Sequence, residues 1–350
     1  MKFGIMTLFD HHPGVRSAKR FYDEFMRECV RAEELGFDSI WVSEHHFSPY
    51  GGICPSPQVY LAAVAQRTSR IRLGTGIVLL PFHRPITVAE EFAMLDLLSE
   101  GRVELGVGRG WLPHEFAHFG VSMDETRGRL EEGVEVIRRA WTVERFSYEG
   151  RFTRVSDIEV LPKPLQSPHP PIWVAGLRTA DTFEWIGRNG YHLQAVPYVL
   201  PAGSMLGENI GLYRRTLAEH GHAGQEIALL YHLYVAESEE AARRDAEQAL
   251  LGYLGQIRGL ASQQTWSSKA YAQYERAKEH RSALSYERLA NDHVIVFGTP
   301  DQCIETIRWA QKTYGMTYFM GLSNYGAIEH PKVLRSLELF ARHVMPAFRD

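Results

Sequence analysis

The sequence predicts an α/β fold of the closed (β/α)8 barrel type, and three observations carry that prediction. Short apolar runs alternate with segments of helical period along nearly the whole chain, which marks a parallel sheet with helical crossovers. The runs number eight, enough to close a barrel. One of them, beginning at Trp41, passes from apolar strand straight into Glu44, His45 and His46. Such a change of polarity at a strand's end is where α/β proteins place their chemistry. The 350 residues suit a single barrel over 1–350, since α/β barrels routinely exceed the average domain length, with an insertion at 236–298.

Taken in order, Lys2 to Leu8 is the first strand, and Phe21, Phe25, Cys29 and Ala32 recur at helical spacing up to a capping Gly36. Asp38 to Val42 is the second strand, and Ser56 with Pro57 forms an N-cap and N1 pair that opens a helix through Val59, Ala62, Ala63 and Gln66. Ile71 to Leu80 is the third, followed by Val88, Phe92, Leu95 and Leu98 on one helical face. Arg102 to Val107 is the fourth. Glu125 to Thr142 reads as a helix, and Phe146 to Val155 alternates about Glu149-Gly150 as an inserted β-hairpin. The Pro-rich stretch Leu161 to Pro171 is not a linker, because Ile172 to Ala175 resumes at once as a strand ahead of a helix over Thr182 to Arg188. Tyr191 to Pro197, Ile227 to Val235 and Thr317 to Leu322 complete the eight.

The insertion starts with an amphipathic helix, Glu239 to Tyr253. It then runs from Gly259 to Asp292 without sustained period and rich in Ser, Gln, Lys, Arg and Tyr; only Val294 to Phe297 looks like a strand. Loops of that length in compact domains usually have a function, so the segment is expected to be a mobile lid before the last strand. Thr299-Pro300-Asp301-Gln302 is a capping box that restarts a helix through Ile304, Ile307 and Ala310, and a last helix carries Val333, Leu337, Phe340 and Val344.

Composition narrows the function. A formal charge of −4 and 45% apolar residues leave no basic stripe for nucleic acid or an anionic membrane. Three scattered cysteines form no CxxC, and neither a signal h-region nor a membrane-spanning run is present, so the expected compartment is the cytoplasm.

Two stretches carry candidate chemistry besides Glu44-His45-His46. Along an extended chain Glu44 and His46 point one way and His45 the other, so one histidine need face a cavity. A metal is the competing use of this triplet, but the HExxH at His114 to His118 and the HxH at His220 to His222 do not include it, and no metal is expected. Leu105 to Trp111 is glycine-rich, yet the dinucleotide fingerprint wants glycine where Trp111 stands and a helix immediately afterwards, where Pro113 and His114 follow. Arg109 there is read as a bidentate phosphate clamp, against the plain alternative of an exposed turn arginine. Gly176-Leu177-Arg178 joins a strand to a helix, and N–H groups at that helix start make a second anion site.

Met1-Lys2-Phe3-Gly4, Gly36 to Trp41, Glu44 to Phe47, Gly74-Thr75-Gly76, Leu80-Pro81, Gly101-Arg102, Arg109-Gly110, Gly298-Thr299-Pro300 and Val344-Met345-Pro346 occur in the order and spacing of a known family. The chain resembles bacterial-luciferase-like, flavin-dependent monooxygenases from end to end. The resemblance implies a TIM-like barrel with insertions that takes reduced FMN from a separate flavin reductase, adds O2 as a C4a-peroxyflavin and oxygenates a small organic substrate. It makes His45 the catalytic histidine, sets Arg109 on the flavin phosphate with Gly176, Leu177 and Arg178 opposite, and puts a non-prolyl cis peptide between Gly76 and Ile77 beneath the flavin ring. Gly108 stands where luciferase has a reactive cysteine, so light emission is not implied. Lys278 to Arg281 resemble the charged stretch of the luciferase lid, and a homodimer through helices 57–67 and 88–98 is expected. Phe47, Tyr50, Phe82 and Trp111 are candidates for an apolar substrate pocket, or for core. Two alternatives stay open: an F420-dependent oxidoreductase of the same fold, and a flavin-binding protein without catalysis.

Overall fold

The computed structural model describes residues 1–197, 204–266, 268–272, 275 and 285–349. Twelve strands are found: β1 (Lys2–Thr7), β2 (Ser39–Val42), β3 (Arg72–Thr75), β4 (Val78–Leu79), β5 (Val103–Gly108), β6 (Phe146–Glu149), β7 (Arg154–Ile158), β8 (Ile172–Ala175), β9 (His192–Ala195), β10 (Ile227–Val235), β11 (Ile295–Gly298) and β12 (Tyr318–Asn324). Eight of them close a parallel barrel in the order β1-β2-β3-β5-β8-β9-β10-β12, with β12 pairing back to β1. Each of the eight apolar runs supplies one of these strands. The third is interrupted: the Gly76–Ile77 peptide is cis, and the chain resumes as β4, which pairs with the end of β5. Strands β6 and β7 form the inserted antiparallel hairpin. Strand β10 outruns β12, and its last residues, His232 to Val235, pair with β11, so Val294 to Phe297 does enter a strand but lies outside the closure.

The helices follow from their spacing and caps. Helix α1 (Ala18–Glu34) starts at Ser17, whose side chain accepts from Arg20 N, and buries Phe21, Phe25, Cys29 and Ala32. Helices α2 (Pro57–Ala65) and α3 (Pro85–Leu98) each begin with proline. The chain departs from expectation at α4 (Pro113–Phe119), where no helix was expected after Trp111. Proline lacks an N–H and fixes φ, which excludes it from helix interiors but suits it to the first position. Pro113 therefore opens α4, and Gly120, at φ 64°, closes it in the left-handed conformation. Helices α5 (Thr126–Thr142) and α6 (Ala180–Arg188) follow. Helix α7 (Ser204–Glu219) was not foreseen, although its buried Leu206, Ile210, Tyr213 and Leu217 stand at helical spacing. The capping box forms as read: Thr299 accepts from Gln302 N and Gln302 accepts from Thr299 N at the head of the helix Pro300–Tyr314.

In the insertion, α8 (Glu239–Ala242) passes through a π-helical turn into α9 (Gln248–Gln263), ten residues beyond the expected end at Tyr253. A further helix spans Tyr286–Asn291. Trp266, Ser268, Tyr271, Tyr286 and Leu289 are buried, so polar composition between Gly259 and Asp292 concealed a set of anchoring side chains. Lys278 to Arg281 lie outside the described residues.

Three large rings fill the lower barrel. Trp41, Trp173 and Tyr318 meet edge-on with centroids 5.5–5.8 Å apart. A Cβ on Gly74 would lie 2.2 Å from the Trp41 ring, so glycine there is what lets Trp41 lie across the barrel. The plug forces any ligand to the C-terminal mouth, where loops rather than strands set the chemistry. No described helix is long and apolar enough to cross a membrane.

Candidate active site

Strand β2 ends at Val42, yet its alternation persists through the next residues. Glu44 Oε1 accepts from His46 Nε2 at 2.9 Å and from His83 Nε2 at 2.7 Å, while Glu44 Oε2 accepts from the Leu79 N–H at 2.9 Å. His45 points the opposite way, and its Nδ1 lies 3.0 Å from Glu115 Oε1. The same Glu115 oxygen accepts the His46 N–H at 2.8 Å. Glu44, His45, His46 and Glu115 are buried, and His83 is half-buried. Burial alone would raise the Glu44 carboxyl, but hydrogen bonds from His46 and His83 outweigh it and hold the group below its ordinary value. His83 moves in the complementary direction, upward, because the bond to Glu44 outweighs burial. Among the described residues no group of three or more His, Cys, Asp or Glu could hold a metal ion; Glu44 is engaged by His46 and His83, and His45 by Glu115.

Glu115 escaped the sequence reading because it rides on α4. Pro113, Phe116 and Gly120 were the available signal, a first-position proline and a closing glycine about one buried face. Its carboxylate accepts from His45 Nδ1, which favours the tautomer with the proton on Nδ1 and leaves Nε2 as the ring's acceptor. Tyr50 backs this imidazole at 4.9 Å between ring centroids. The loop that carries it lies close because of Gly51, at φ 75°, where a Cβ would stand 2.7 Å from Leu8 O and 2.9 Å from the His45 side chain.

Arg109 follows β5 and reaches Thr179, with Nη2 3.4 Å from Oγ1. Thr179 is the N-cap residue of α6 but makes no side-chain cap bond, and the Gly176 N–H is tied to Gln194 O of β9 at 2.9 Å. The structure therefore brings Arg109 to the segment Gly176-Leu177-Arg178 at the start of a helix, a cation beside uncapped backbone donors, and that donor set fits a phosphate. Ile77 takes the space before Gly108, where a Cβ would be 2.0 Å from Ile77 Cδ1, and Ile77 O accepts from the Glu44 N–H at 3.2 Å. His45, Gly76, Ile77, Arg109 and Gly176 to Arg178 thus all follow the C-terminal ends of neighbouring barrel strands and share one mouth.

The four pocket aromatics divide. Tyr50 and Trp111 lie together beside His45, 6.3 Å apart. Phe47, 59% exposed, and Phe82 instead join Phe119 in a rim cluster. The sequence reading also passed over His232, which closes the mouth between Tyr253 and Tyr325; full burial lowers it to about 3, so it is a neutral ring.

Comparison with known proteins gives the same picture over the length of the chain. A family model described as luciferase-like monooxygenase matches residues 1–317. The oxygenase component of a flavin-dependent trigonelline monooxygenase from Acinetobacter baylyi is 33% identical over 256 residues, 72% of this chain and 70% of that one. The crystal structure of the monooxygenase RslO1 from Streptomyces bottropensis superposes with a TM-score of 0.86 at 35% identity, over 99% of this chain and 100% of that one. An F420-dependent secondary alcohol dehydrogenase superposes at 0.75 with 20% identity over 100% of this chain and 99% of that one, a likeness of fold alone.

Proposed function

The chain belongs to the luciferase-like monooxygenase family, a family of flavin-dependent enzymes, and from that premise we propose that it is the oxygenating component of a two-component system. A separate reductase delivers reduced FMN, and the chain uses it with O2 to oxygenate a small organic substrate. One observation carries this reading: the buried His45–Glu115 pair shares a barrel mouth with Arg109 and the uncapped start of α6. Bound reduced FMN supplies the electrons that activate O2. The chain does the rest. Arg109 with the N–H groups of Leu177 and Arg178 would hold the phosphate, the Gly176 N–H being committed to Gln194 O, and Gly76 and Ile77 line the same mouth. His45, with Nδ1 committed to Glu115, uses Nε2 to take and return a proton at the reacting oxygen. That the trigonelline relative is itself an oxygenase component supports the division of labour between two proteins.

The test pairs binding with turnover. Reduced FMN should bind the protein more tightly than reduced F420, and a substrate screen with a generic flavin reductase should give an oxygenated product. His45→Ala should lower turnover on the order of 10²-fold while leaving flavin affinity unchanged. Tighter binding of F420, with hydride transfer and no oxygenation, would transfer the protein to the deazaflavin reading. Flavin binding with no reaction in either assay would make it a carrier.

A further inference from the structure

Buried polar atoms without a partner are rare in folded proteins, and each calls for a ligand or a water. Among the described residues, Asp10 Oδ1, His11 Nε2, Ser43 Oγ and Glu115 Oε2 are such atoms, and they border one region beside His45. Ser43 and His45 lie on the same face of the extended β2 end. The His11 N–H bonds Pro49 O at 3.0 Å, next to Tyr50. Leu8 O and the His45 side chain flank the same Gly51. Burial raises the Tyr50 phenol against a hydrogen bond with Tyr253, and Asp10 and Glu115 both add to the rise, so both carboxylates lie near this ring.

Asp10 is the most firmly built of the four. Phe9 precedes it at φ 52°, a conformation that bulky residues seldom adopt. The Phe9 ring is locked among Phe21, Tyr22, Phe25 and Tyr60 at 5.0–5.7 Å, which pulls the chain outward and leaves Asp10 at the mouth. Asp10 is fully buried, and its Oδ2 accepts from the Gly326 N–H at 2.8 Å and from His12 Nε2 at 2.7 Å. A carboxylate gripped through one oxygen, with the other left open, is an oriented acceptor. Arg16, the nearby guanidinium, is engaged by Glu24 and Asn324 and does not compete for it.

We propose that Asp10 anchors the organic substrate, its Oδ1 accepting a hydrogen bond from a hydroxyl or N–H of a neutral or cationic aromatic molecule that lies against Tyr50 and Trp111. The inference rests on the reading of His45 as the reaction centre. The wall is aromatic and presents an open acceptor, so it selects against sulfonates, alkanals and alkanes alike, none of which brings a donor. An acceptor held ready for a substrate O–H discriminates strongly, because the analogue without the donor leaves it unpaired.

The test uses three probes of similar shape, 2-naphthol, 2-methoxynaphthalene and naphthalene-2-sulfonate, titrated calorimetrically into the flavin-free protein. The naphthol should bind about ten-fold or more tightly than its methyl ether, and the sulfonate should bind weakest. In Asp10→Asn the amide can keep the Gly326 bond and present an NH2 instead, so the preference for the naphthol should shrink or reverse. Equal or absent binding of the naphthol and the ether by the parent protein overturns the proposal, as does an unchanged ratio in a folded Asp10→Asn protein. Because these titrations contain no flavin, they separate the two readings. A naphthol preference without affinity for reduced FMN removes the flavin assignment alone, and affinity for FMN without the preference removes the Asp10 assignment alone.

Discussion

His45 Nδ1 and Glu115 Oε1 lie 3.0 Å apart, and the same oxygen takes the backbone N–H of His46 at 2.8 Å. One carboxylate thereby fixes both the tautomer of the imidazole and the path of the chain that carries it. Glu115→Gln retains the shape but can offer its NH2 to Nδ1, which would turn the ring's donor toward the reactants. Turnover should fall about 10- to 10²-fold, with the pH–rate profile displaced and FMN affinity unchanged, whereas Glu115→Asp should recover part of the loss. An unaltered profile in the Gln variant would show that Glu115 only packs.

The barrel was legible because each of its strands is an apolar run bounded by turn residues, and burial on both faces leaves a strand no other composition. The positions of His45 and Arg109 just past strand ends were legible because polarity or glycine content breaks there. Glu115 was not, since its role depends on α4, and Pro113 was read as a barrier to a helix when at the first position it opens one. Asp10 was equally hidden: a single acid in a polar loop acquires meaning only when Gly326 and His12, distant and adjacent in sequence, are seen to hold one of its oxygens.

Among the described residues Arg109 meets Thr179 at 3.4 Å and the Tyr271 ring at 5.5 Å and pairs with no carboxylate, so its guanidinium can turn to an anion. Arg109→Ala should weaken reduced FMN by roughly 1.5–3 kcal/mol, the range of a charge-assisted pair, and reduced riboflavin hardly at all. Equal losses for both flavins would make Arg109 structural.

The His83–Glu44 pair sets a pH window for stability. The folded His83 lies above its ordinary value of 6.5, so the stability it contributes is complete below that value and is lost as pH rises through the folded one. The folded Glu44 lies below its ordinary 4.5, so its contribution is present above 4.5 and is lost as pH falls through the folded value. His83→Gln should lower the melting temperature most below about pH 6.5 and progressively less as pH rises. A difference that stays constant from about pH 5 to about pH 9 would sever stability from this pair.

Helices α2 and α3 leave Val59, Met94, Leu97 and Leu98 exposed on their outer faces. Gln58 Nε2 bonds Glu91 at 2.8 Å and holds the two helices as one surface. An exposed apolar patch gains from a cover, and a second copy of this surface, helix pair against helix pair, would supply one. Light scattering should give twice the 39.9 kDa chain mass at micromolar concentration, and Met94→Glu with Leu98→Glu should halve it. A monomeric parent protein would refute the homodimer.

The strap after α9 is fastened to the loop between Arg109 and α4. Trp266 Nε1 donates to Trp111 O at 2.8 Å, and Tyr271 OH donates to Gly110 O at 2.9 Å, with its ring 5.5 Å from the Arg109 guanidinium. Ser268 Oγ donates to Asp124 at 2.5 Å on the far side. One cover therefore holds the segment that presents Arg109 and leads into the helix of Glu115. An oxygenation that must exclude water requires such a cover, and its opening disturbs both groups together. Tyr271→Phe removes one hydroxyl from a ring that stays packed, which costs about 1 kcal/mol of strap closure and leaves the barrel strands untouched. Oxygen consumption should then divert to hydrogen peroxide several-fold more than in the parent, with the melting temperature little changed, and the strap should be cut first by protease when FMN is absent. Tight coupling in Tyr271→Phe, or cleavage at the β6–β7 hairpin before the strap, would show that this segment is a fixed part of the barrel and that water is excluded by other means.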